Sequence, residues 1–379
     1  MRIDSQHTIA AAETLLASLD GFAGDVSLQI ATRSHGQIAG GEDATVQALV
    51  TWAQRQEVAR LRTYVDDAHD GQAEALVRHL VGLSAALLCD SALGRDGHEL
   101  TAALRSQALR RHKDLQRDGG GRASRGLQFE IVCADHLSLS HPTLLYDSSG
   151  PYPRLRGEKA FRELSRLIVS AGIVSGGSLD SKVISAIGDT LYELFRNTEE
   201  HAKLDLAGNH QRRSLRGIHA RRHDRTAQEL ETAIAEMPRL RPFAARLRPL
   251  QRRKKVTFAE FSVFDSGPGL ARRWLKDEAV EIESQREIDA INECFAYRAT
   301  TKAIKGRGVG LPIVIAALRE QGGLIRVRTG RQSLYADLWD ERGAPFETSP
   351  TLRPWSERVR LANAHGTLIT FMIPLGSAE

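Results

Sequence analysis

The chain has 379 residues, of which 41% are hydrophobic and 26% are charged, so it can bury one large core or two ordinary ones. Its longest apolar run, residues 80–89, is far shorter than the roughly 20 residues that cross a bilayer, and we expect no membrane span. The N-terminus lacks the order of a secretory signal, which predicts a cytoplasmic protein. Three widely separated cysteines favour neither a disulfide framework nor a zinc site.

The formal charge of +5 is distributed unevenly. Residues 210–255 contain 14 lysines and arginines against four acids, so the rest of the chain is mildly acidic. An acidic partner would therefore bind this basic segment, which we interpret as an insertion at about 208–255.

The pattern of residues 1–150 predicts a mixed α/β domain that is smaller than the one that follows. Helical patterns cover 8–19, 45–65 and 71–88, and strand patterns cover 26–32 and about 128–134. No motif or internal repeat indicates a role for this domain. A linker at 148–156 is expected to lead into a second domain, 157–379.

The sequence of the second domain predicts long helices packed around one sheet of few strands. Leu179–Ala202 is an amphipathic helix that Asp180 or Ser181 can cap. Further helices are expected at 226–237, 242–253 and 309–321, and strands at 257–264, 324–329 and 367–374. This order predicts a two-layer α/β sandwich.

Four motifs in this second half bear on function. The first is ELFRNTEEHA, in which Glu193, Asn197 and His201 are spaced i, i+4 and i+8 on one helix face. The carboxylate can take a proton from water, and the amide oxygen can ligate magnesium. A solvated polar face is the alternative interpretation.

The second motif is VFDSGPGL, where a strand ends in Asp265, Gly267 and Gly269. Such an aspartate can accept a hydrogen bond from the amine of adenine, and the glycines let the backbone approach a base closely. A glycine turn with an Asx cap explains the same residues.

The third motif, TTKAIKGRGVGLPIV, places glycines before a helix, where backbone N–H groups can bind phosphate; its alternative is a flexible basic loop. The fourth, HGTLITFMIPL, carries Thr367 on a terminal strand. Its hydroxyl can complete recognition of adenine, although by itself the segment is only a strand.

In this order the four motifs resemble the N-box, the two glycine boxes and the final Gly-Thr strand of the GHKL family: gyrase, heat-shock chaperone, histidine-kinase and mismatch-repair ATPases. The resemblance covers about 180–375. It implies a mixed sheet covered by helices, with ATP held beneath a mobile lid at about 295–310. It also implies that Glu193 is the general base, that Asn197 binds magnesium, and that Asp265 and Thr367 read adenine. The other residues that it implies contact ATP are His201, Gly267, Gly269, Thr301, Lys302, Gly306, Arg307, Gly308, Val309, Gly310 and Leu311.

The chain departs from the family pattern in two places. Arg196-Asn197-Thr198 replaces the Asp-Asn-Ala of gyrase-type proteins, and the E-x-x-x-N-x-x-x-H-A form is nearer to anti-sigma-factor serine kinases. The basic segment also makes the stretch between the N-box and the first glycine box unusually long. The branch of the family therefore stays open.

Three functions fit the sequence. The first is a Mg-dependent ATPase, a bacterial regulatory or defence protein whose nucleotide state controls lid closure, dimerisation or binding of a protein partner. The second is a protein kinase of the serine or histidine type, with His98 as a weak phosphoacceptor candidate that we expect instead to be a surface helix residue. The third is a nucleic-acid-associated ATPase that uses Arg212–Lys255, a segment that a solvated insertion also explains. Its candidate phosphate contacts are Arg212, Arg213, Arg216, Arg221, Arg222, Arg225, Arg252, Arg253, Lys254 and Lys255.

Overall fold

The computed structural model of the chain describes residues 1–22, 24, 26–31, 35–36, 38–65, 70–117, 124–125, 128–137, 141–168, 181–247, 255–276, 281–297, 310–357 and 360–375. Up to residue 150 the strands are β1 Arg2–Ile3, β2 Gln6–His7, β3 Leu28–Ile30, β4 His35–Gly36, β5 Arg60–Thr63, β6 Ser91–Leu93, β7 Ser124–Arg125, β8 Gln128–Cys133 and β9 Tyr146–Asp147. The helices of this part are α1 Ile9–Asp20, α2 Gly41–Arg55, α3 Asp70–Val77, α4 Leu80–Leu88 and α5 Thr101–Arg117.

The later strands are β10 Arg154–Leu155, β11 Arg216–Arg225, β12 Val256–Phe264, β13 Leu324–Gly330, β14 Gln332–Asp337, β15 Arg353–Pro354 and β16 Ala364–Pro374. The later helices are α6 Glu158–Ile168, α7 Ser181–His201, α8 Ala227–Ala233, α9 Arg241–Arg246, α10 Leu270–Leu275, α11 Ser284–Cys294 and α12 Gly310–Glu320. Strands and helices are thus interspersed in a mixed α/β protein, as predicted. None of the helices in the described ranges is long and apolar enough to span a membrane.

The N-terminal part is built on a parallel sheet of order β1-β3-β5-β6. Alternation of strands and helices favours this arrangement, because parallel strands need helical crossovers. The helix predicted at 8–19 is confirmed as α1, whose first turn is capped by the Thr8 hydroxyl. The helix predicted at 45–65 is wrong in its second half, since β5 alternates exposed and buried residues like a strand.

Two other predictions in this part need correction. The helix expected at 71–88 is divided into α3 and α4, with residues 78–79 between them. The linker expected at 148–156 is instead largely the loop and second strand of the β9–β10 pair, in which Tyr146 lies opposite Leu155.

The large sheet has the order β15-β14-β13-β16-β12-β11-β8-β7 among the described strands, and every pairing is antiparallel. The expectation of a mixed sheet is therefore wrong for these strands. Its strand β8 precedes residue 150, yet pairs with β11 through contacts such as Ile131 opposite Ile218. The boundary drawn at 150 therefore does not separate the two sheets. Residues 1–150 supply one of the inner strands of the second half.

The basic segment also differs from the prediction, because residues 216–225 are the internal strand β11 rather than part of an insertion. Ile218 and Ala220 pack into the core beneath α7, while His219 and Arg221 lie on the opposite, covered face. The helices predicted at 226–237 and 242–253 correspond to the shorter α8 and α9. The sequence does not reveal this strand, because its many charged residues predict exposure to solvent, whereas both of its faces are covered.

Helices cover both faces of the large sheet. Helices α6, α7, α11 and α12 share one hydrophobic cluster with one face, and α2 packs against β16 and β12 on the other. Residues 41–53 of α2 are all buried. The prediction of two layers omits the third layer, which the N-terminal part contributes.

The contact between α2 and the large sheet is polar as well as apolar. Asp43 lies 3.0 Å from the Nδ1 atom of His219, and Glu42 lies 3.2 Å from Arg221. The Glu260 carboxylate accepts hydrogen bonds from the N–H groups of residues 39 and 40, just before α2. Buried charges of opposite sign thus fix the position of this helix on the sheet.

Helix α7 is fixed by the fully buried side chain of Arg216 on β11. Its guanidinium donates to both carboxylate oxygens of Asp135 at 2.8 Å, to Glu199 at 3.0 Å, to Thr198 at 3.2 Å and to the Tyr146 hydroxyl at 3.0 Å. Burial alone would raise the pKa of Asp135, but the Arg216 guanidinium holds it well below its ordinary value. One cation therefore joins α7, β9, β11 and the turn after β8.

Replacing this cation should strongly destabilise the fold. Arg216→Met leaves the partly buried carboxylates of Asp135 and Glu199 without their guanidinium partner, and should cost up to about 3–5 kcal/mol, the loss typical of a broken buried ion pair. Urea denaturation measures the loss of unfolding free energy. The exposed Arg241→Met is the matched control and should change it by less than about 0.5 kcal/mol. Equal stability of the two variants would contradict the anchoring role of Arg216.

Candidate functional site

Helix α7 presents three of the predicted site residues. Its buried stripe packs on the sheet, and Asn197 and His201 line an open cavity. Glu193 is 3% exposed and lies one turn before Asn197. The stripe consists of Ile187, Leu191, Leu194 and Phe195. The helical spacing read from the sequence thus places the polar face toward a cavity.

The Asp265 turn and the Gly-Thr strand form one hydrogen-bonded unit, although they are 102 residues apart. The Asp265 Oδ1 atom accepts the N–H groups of Gly267 at 2.8 Å and Thr367 at 3.1 Å. The Asp265 N–H donates to the Thr367 carbonyl at 3.0 Å, and the Gly366 N–H to the Gly267 carbonyl at 2.8 Å. The ends of β12 and the start of β16 are therefore held in a fixed geometry beside the cavity.

This geometry needs glycine because the backbones approach closely. A Cβ atom on Gly366, where φ is +75°, would lie 1.9 Å from the Asp265 carbonyl oxygen. On Gly267 it would lie 2.7 Å from the Cα atom of Ala202 at the end of α7. Gly269 has φ +90°, where L side chains are strained. The absence of side chains therefore lets these backbones pack together beside the cavity.

The start of α12 lies against Glu193. A Cβ atom on Gly310 would be 2.5 Å from the Oε2 atom of Glu193 and 3.3 Å from Arg196. Arg196 itself forms an ion pair of 2.5 Å with the same Oε2 atom. Gly310 and Leu311 both line the cavity. The positive end of the α12 dipole and the predicted base are thus neighbours.

Part of the second glycine box cannot be placed. Most of the predicted lid lies outside the described ranges. So do six predicted residues of the second glycine box, Thr301, Lys302, Gly306, Arg307, Gly308 and Val309. The cavity lining includes the other predicted residues of the site except Glu193, namely Asn197, His201, Asp265, Gly267, Gly269, Gly310, Leu311 and Thr367.

Two carboxyl groups of the site have shifted pKa values. Burial raises the pKa of Asp265 to about 6, although the N–H groups of Gly267 and Thr367 act in the opposite direction. Burial also raises the pKa of Glu193, and Arg196 only partly offsets it. A carboxylate with a raised pKa is a stronger base, which suits proton abstraction at Glu193.

Several residues of the site were not expected from the sequence. Thr329 donates its hydroxyl to the Gly366 carbonyl at 3.2 Å and accepts the Leu270 N–H at 3.1 Å. Arg273 caps the end of α7, donating to the carbonyls of His201 at 2.7 Å and Leu204 at 2.8 Å. Other walls of the cavity are Leu270, Trp274 and Cys294. The roles of Thr329 and Arg273 become visible only from their neighbours in the fold, because neither residue belongs to a motif with a recognisable spacing.

The donor set fits magnesium that is carried by a phosphate. Among the residues in the described ranges, no group of three or more His, Cys, Asp or Glu side chains could hold a metal ion. Asn197 offers a single amide oxygen at the cavity wall. Magnesium is often held by one or two protein oxygens together with phosphate and water, so this arrangement suits it.

His98 does not occupy the position that a surface helix residue would have. It lies in the turn between β6 and α5, beside Gly94, whose N–H donates to the His98 carbonyl at 2.9 Å. A Cβ atom on Gly94 would lie 2.4 Å from the His98 ring. The expectation of a helical position is wrong, because the preceding residues turn back toward β6.

The basic segment offers fewer surface cations than its composition suggests. Arg213, Arg216 and Arg222 are 2%, 0% and 5% exposed, so they are not accessible to a nucleic-acid phosphate. Arg213 donates instead to the carbonyls of Ala53 and Gln56 at the end of α2. Arg212, Arg221, Arg225 and Lys255 are at least partly exposed, whereas Arg252, Arg253 and Lys254 lie outside the described ranges.

The Gly366 turn can be tested without a ligand. Gly366→Ala combines a left-handed backbone with a clash against Asp265, and should cost at least about 3 kcal/mol of unfolding free energy. Gly343→Ala is the control, because φ there is +80° and nothing lies within 4 Å of the added methyl. It should cost only about 1–2 kcal/mol for the left-handed conformation. Similar losses in urea denaturation would show that the close approach contributes nothing.

Comparison with known proteins identifies no relative of this chain. No protein-family model matches it, and neither a curated protein nor a solved structure does. The likeness of its four motifs to the GHKL family is therefore carried by the residues described above.

Proposed function

We propose that the chain binds ATP and magnesium in this cavity and hydrolyses ATP, and that its nucleotide state controls lid closure, dimerisation or binding of a protein partner. The observation that carries the proposal is the meeting of four sequence-distant motifs at one cavity. Asn197, Asp265, Gly310 and Thr367 all line it. The four motifs in the order of the GHKL boxes support ATP over other ligands.

Adenine recognition falls to Asp265. Its Oδ1 atom is occupied by two backbone N–H groups, which orients the carboxylate and leaves Oδ2 for a donor on the ligand. The amine of adenine is such a donor. Leu270, Trp274 and Ile369 supply apolar surface on which the base can pack.

Phosphate binding falls to the start of α12 and hydrolysis to Glu193. Backbone N–H groups at a helix N-terminus attract phosphate, and Gly310 keeps this end free of a side chain beside Glu193. Magnesium, when bound through Asn197, would neutralise phosphate charge. Glu193 would take the proton from the attacking water, with Arg196 orienting its carboxylate.

The role of Glu193 predicts a separation of binding from turnover. Glu193→Gln keeps the size of the side chain but removes the base, so hydrolysis should fall by about 10²–10⁴-fold while ATP affinity is retained. γ-Labelled ATP with magnesium, with and without cell lysate, measures whether label leaves as phosphate or appears on protein.

Glu200→Gln is the matched control, because Glu200 lies on the same helix two turns after Glu193, lines the cavity and should be dispensable for turnover. Normal hydrolysis by Glu193→Gln would contradict the base assignment. Label on the chain or on a lysate protein would favour the kinase alternative.

The raised pKa of Asp265 predicts a pH dependence of binding. The ionised carboxylate is the better acceptor, so ATP affinity should increase as pH rises through about 6. The unfolding free energy of the free protein should change in the opposite direction, because a carboxyl with a raised native pKa contributes stability that is lost as pH rises through that value. Calorimetric titrations with ATP between about pH 5 and pH 8, and urea denaturation between about pH 4 and pH 7, measure the two trends.

Asp265→Asn tests the assignment of this trend. It should weaken binding by about 1–3 kcal/mol and remove the step near pH 6. If the variant bound ATP as tightly as the parent, the adenine site proposed here would be wrong.

A further inference from the structure

The residues immediately before the Gly-Thr turn are bonded to helix α2 of the N-terminal part. The His365 N–H donates to the hydroxyl of Thr51 at 2.9 Å. The Gln47 side-chain amide donates to the carbonyls of Arg328 at 3.0 Å and His365 at 3.4 Å. Helix α2 therefore contacts both strands, β13 and β16, that enter the candidate site.

These contacts are buried and lie next to the site. Thr51 is 0% and Gln47 2% exposed, so water cannot replace either hydrogen bond. His365 is followed directly by Gly366, whose N–H donates to Gly267, and by Thr367, whose N–H donates to Asp265. A shift of the His365 peptide would therefore move the backbone that orients the Asp265 carboxylate.

Neighbouring contacts extend the same attachment. Arg55, at the end of α2, donates to the Asn363 carbonyl at 3.0 Å, and Asp20, at the end of α1, accepts the Asn363 N–H at 3.3 Å. Arg331 joins Asp20 at 2.8 Å and donates to the Leu361 carbonyl at 3.3 Å. The approach to β16 is thus held largely by residues of the first 60.

We propose that Thr51 and Gln47 are positioning residues for the nucleotide site, holding the Gly366–Thr367 turn in the conformation that presents Asp265 to the ligand. This inference rests on the proposed function. It makes the N-terminal part a structural component of the site. Because linkage is reciprocal, a ligand or partner that displaced α2 would change ATP affinity, and ATP would oppose that displacement.

Helix α2 provides a matched pair of threonines for the test. Thr45 and Thr51 are both buried, and each hydroxyl donates to a carbonyl one turn earlier, at 3.1 and 2.8 Å. Thr51 in addition accepts the His365 N–H. Replacing each by valine preserves shape and removes the same local hydrogen bond, so the difference between them isolates the contact with β16.

The expected result is a change in affinity without a change in chemistry. Thr51→Val should weaken ATP binding by about 5- to 10-fold, the loss of one buried hydrogen bond, while kcat at saturating ATP stays within about 2-fold. Thr45→Val should bind as the parent does, and Thr51→Ser, which restores the hydroxyl, should recover most of the affinity. Calorimetric titration and steady-state hydrolysis provide the two readouts.

A second measurement uses the parent protein, in case Thr51→Val does not fold. ATP should slow amide hydrogen exchange in residues 47–55 of α2, and Asp265→Asn should require more ATP to give the same protection. Equal affinities of the two valine variants, or α2 exchange indifferent to ATP, would overturn the inference while leaving the proposed function intact. If the parent bound no ATP, the proposed function would be wrong and the inference would fall with it.

Discussion

The rest of the structure depends on the buried guanidinium of Arg216. Without it, the carboxylates of Asp135 and Glu199 would lose the cation that they share, keeping only His141 and Lys203 nearby, and the contact between α7 and the sheet would be less favourable. With it, α7 is held at the angle that directs Asn197 and His201 into the cavity. The orientation of the polar face of α7 thus follows from the salt bridge that Arg216 forms on the opposite side of the helix.

The site itself is made by close approach of backbones. Main-chain atoms are in close contact at two places, between Gly267 and Ala202 and between Gly366 and Asp265, with the packing density usual for side chains in a core. The turn that carries Asp265 is therefore joined to β16 by hydrogen bonds between peptide units rather than by flexible side chains. These bonds orient the Asp265 carboxylate before any ligand binds, which lowers the entropic cost of recognition.

The sequence alone predicted the elements in which apolar residues or glycines recur at a regular spacing. The amphipathic stripe of α7, the apolar strand β12 and the glycines before α12 were all located from spacing, and eight predicted residues line one cavity. It missed β11, because arginine was interpreted as solvent-exposed, whereas both faces of this strand are covered and its charges are paired. It also missed Thr329 and Arg273, whose roles depend on carbonyls 37 and 72 residues away.

The burial of α2 against the large sheet has a consequence for how the chain can be divided. A fragment beginning after residue 157 would lack β8, Asp135 and Tyr146, and would expose the apolar face that Leu368 and Phe264 now share with α2. That surface is of the kind that associates with itself, as do unpaired strand edges. During synthesis, β8 must likewise wait for β11, more than 80 residues later, before its inner edge is paired. The two halves of this protein are separate in sequence pattern but inseparable as folding units.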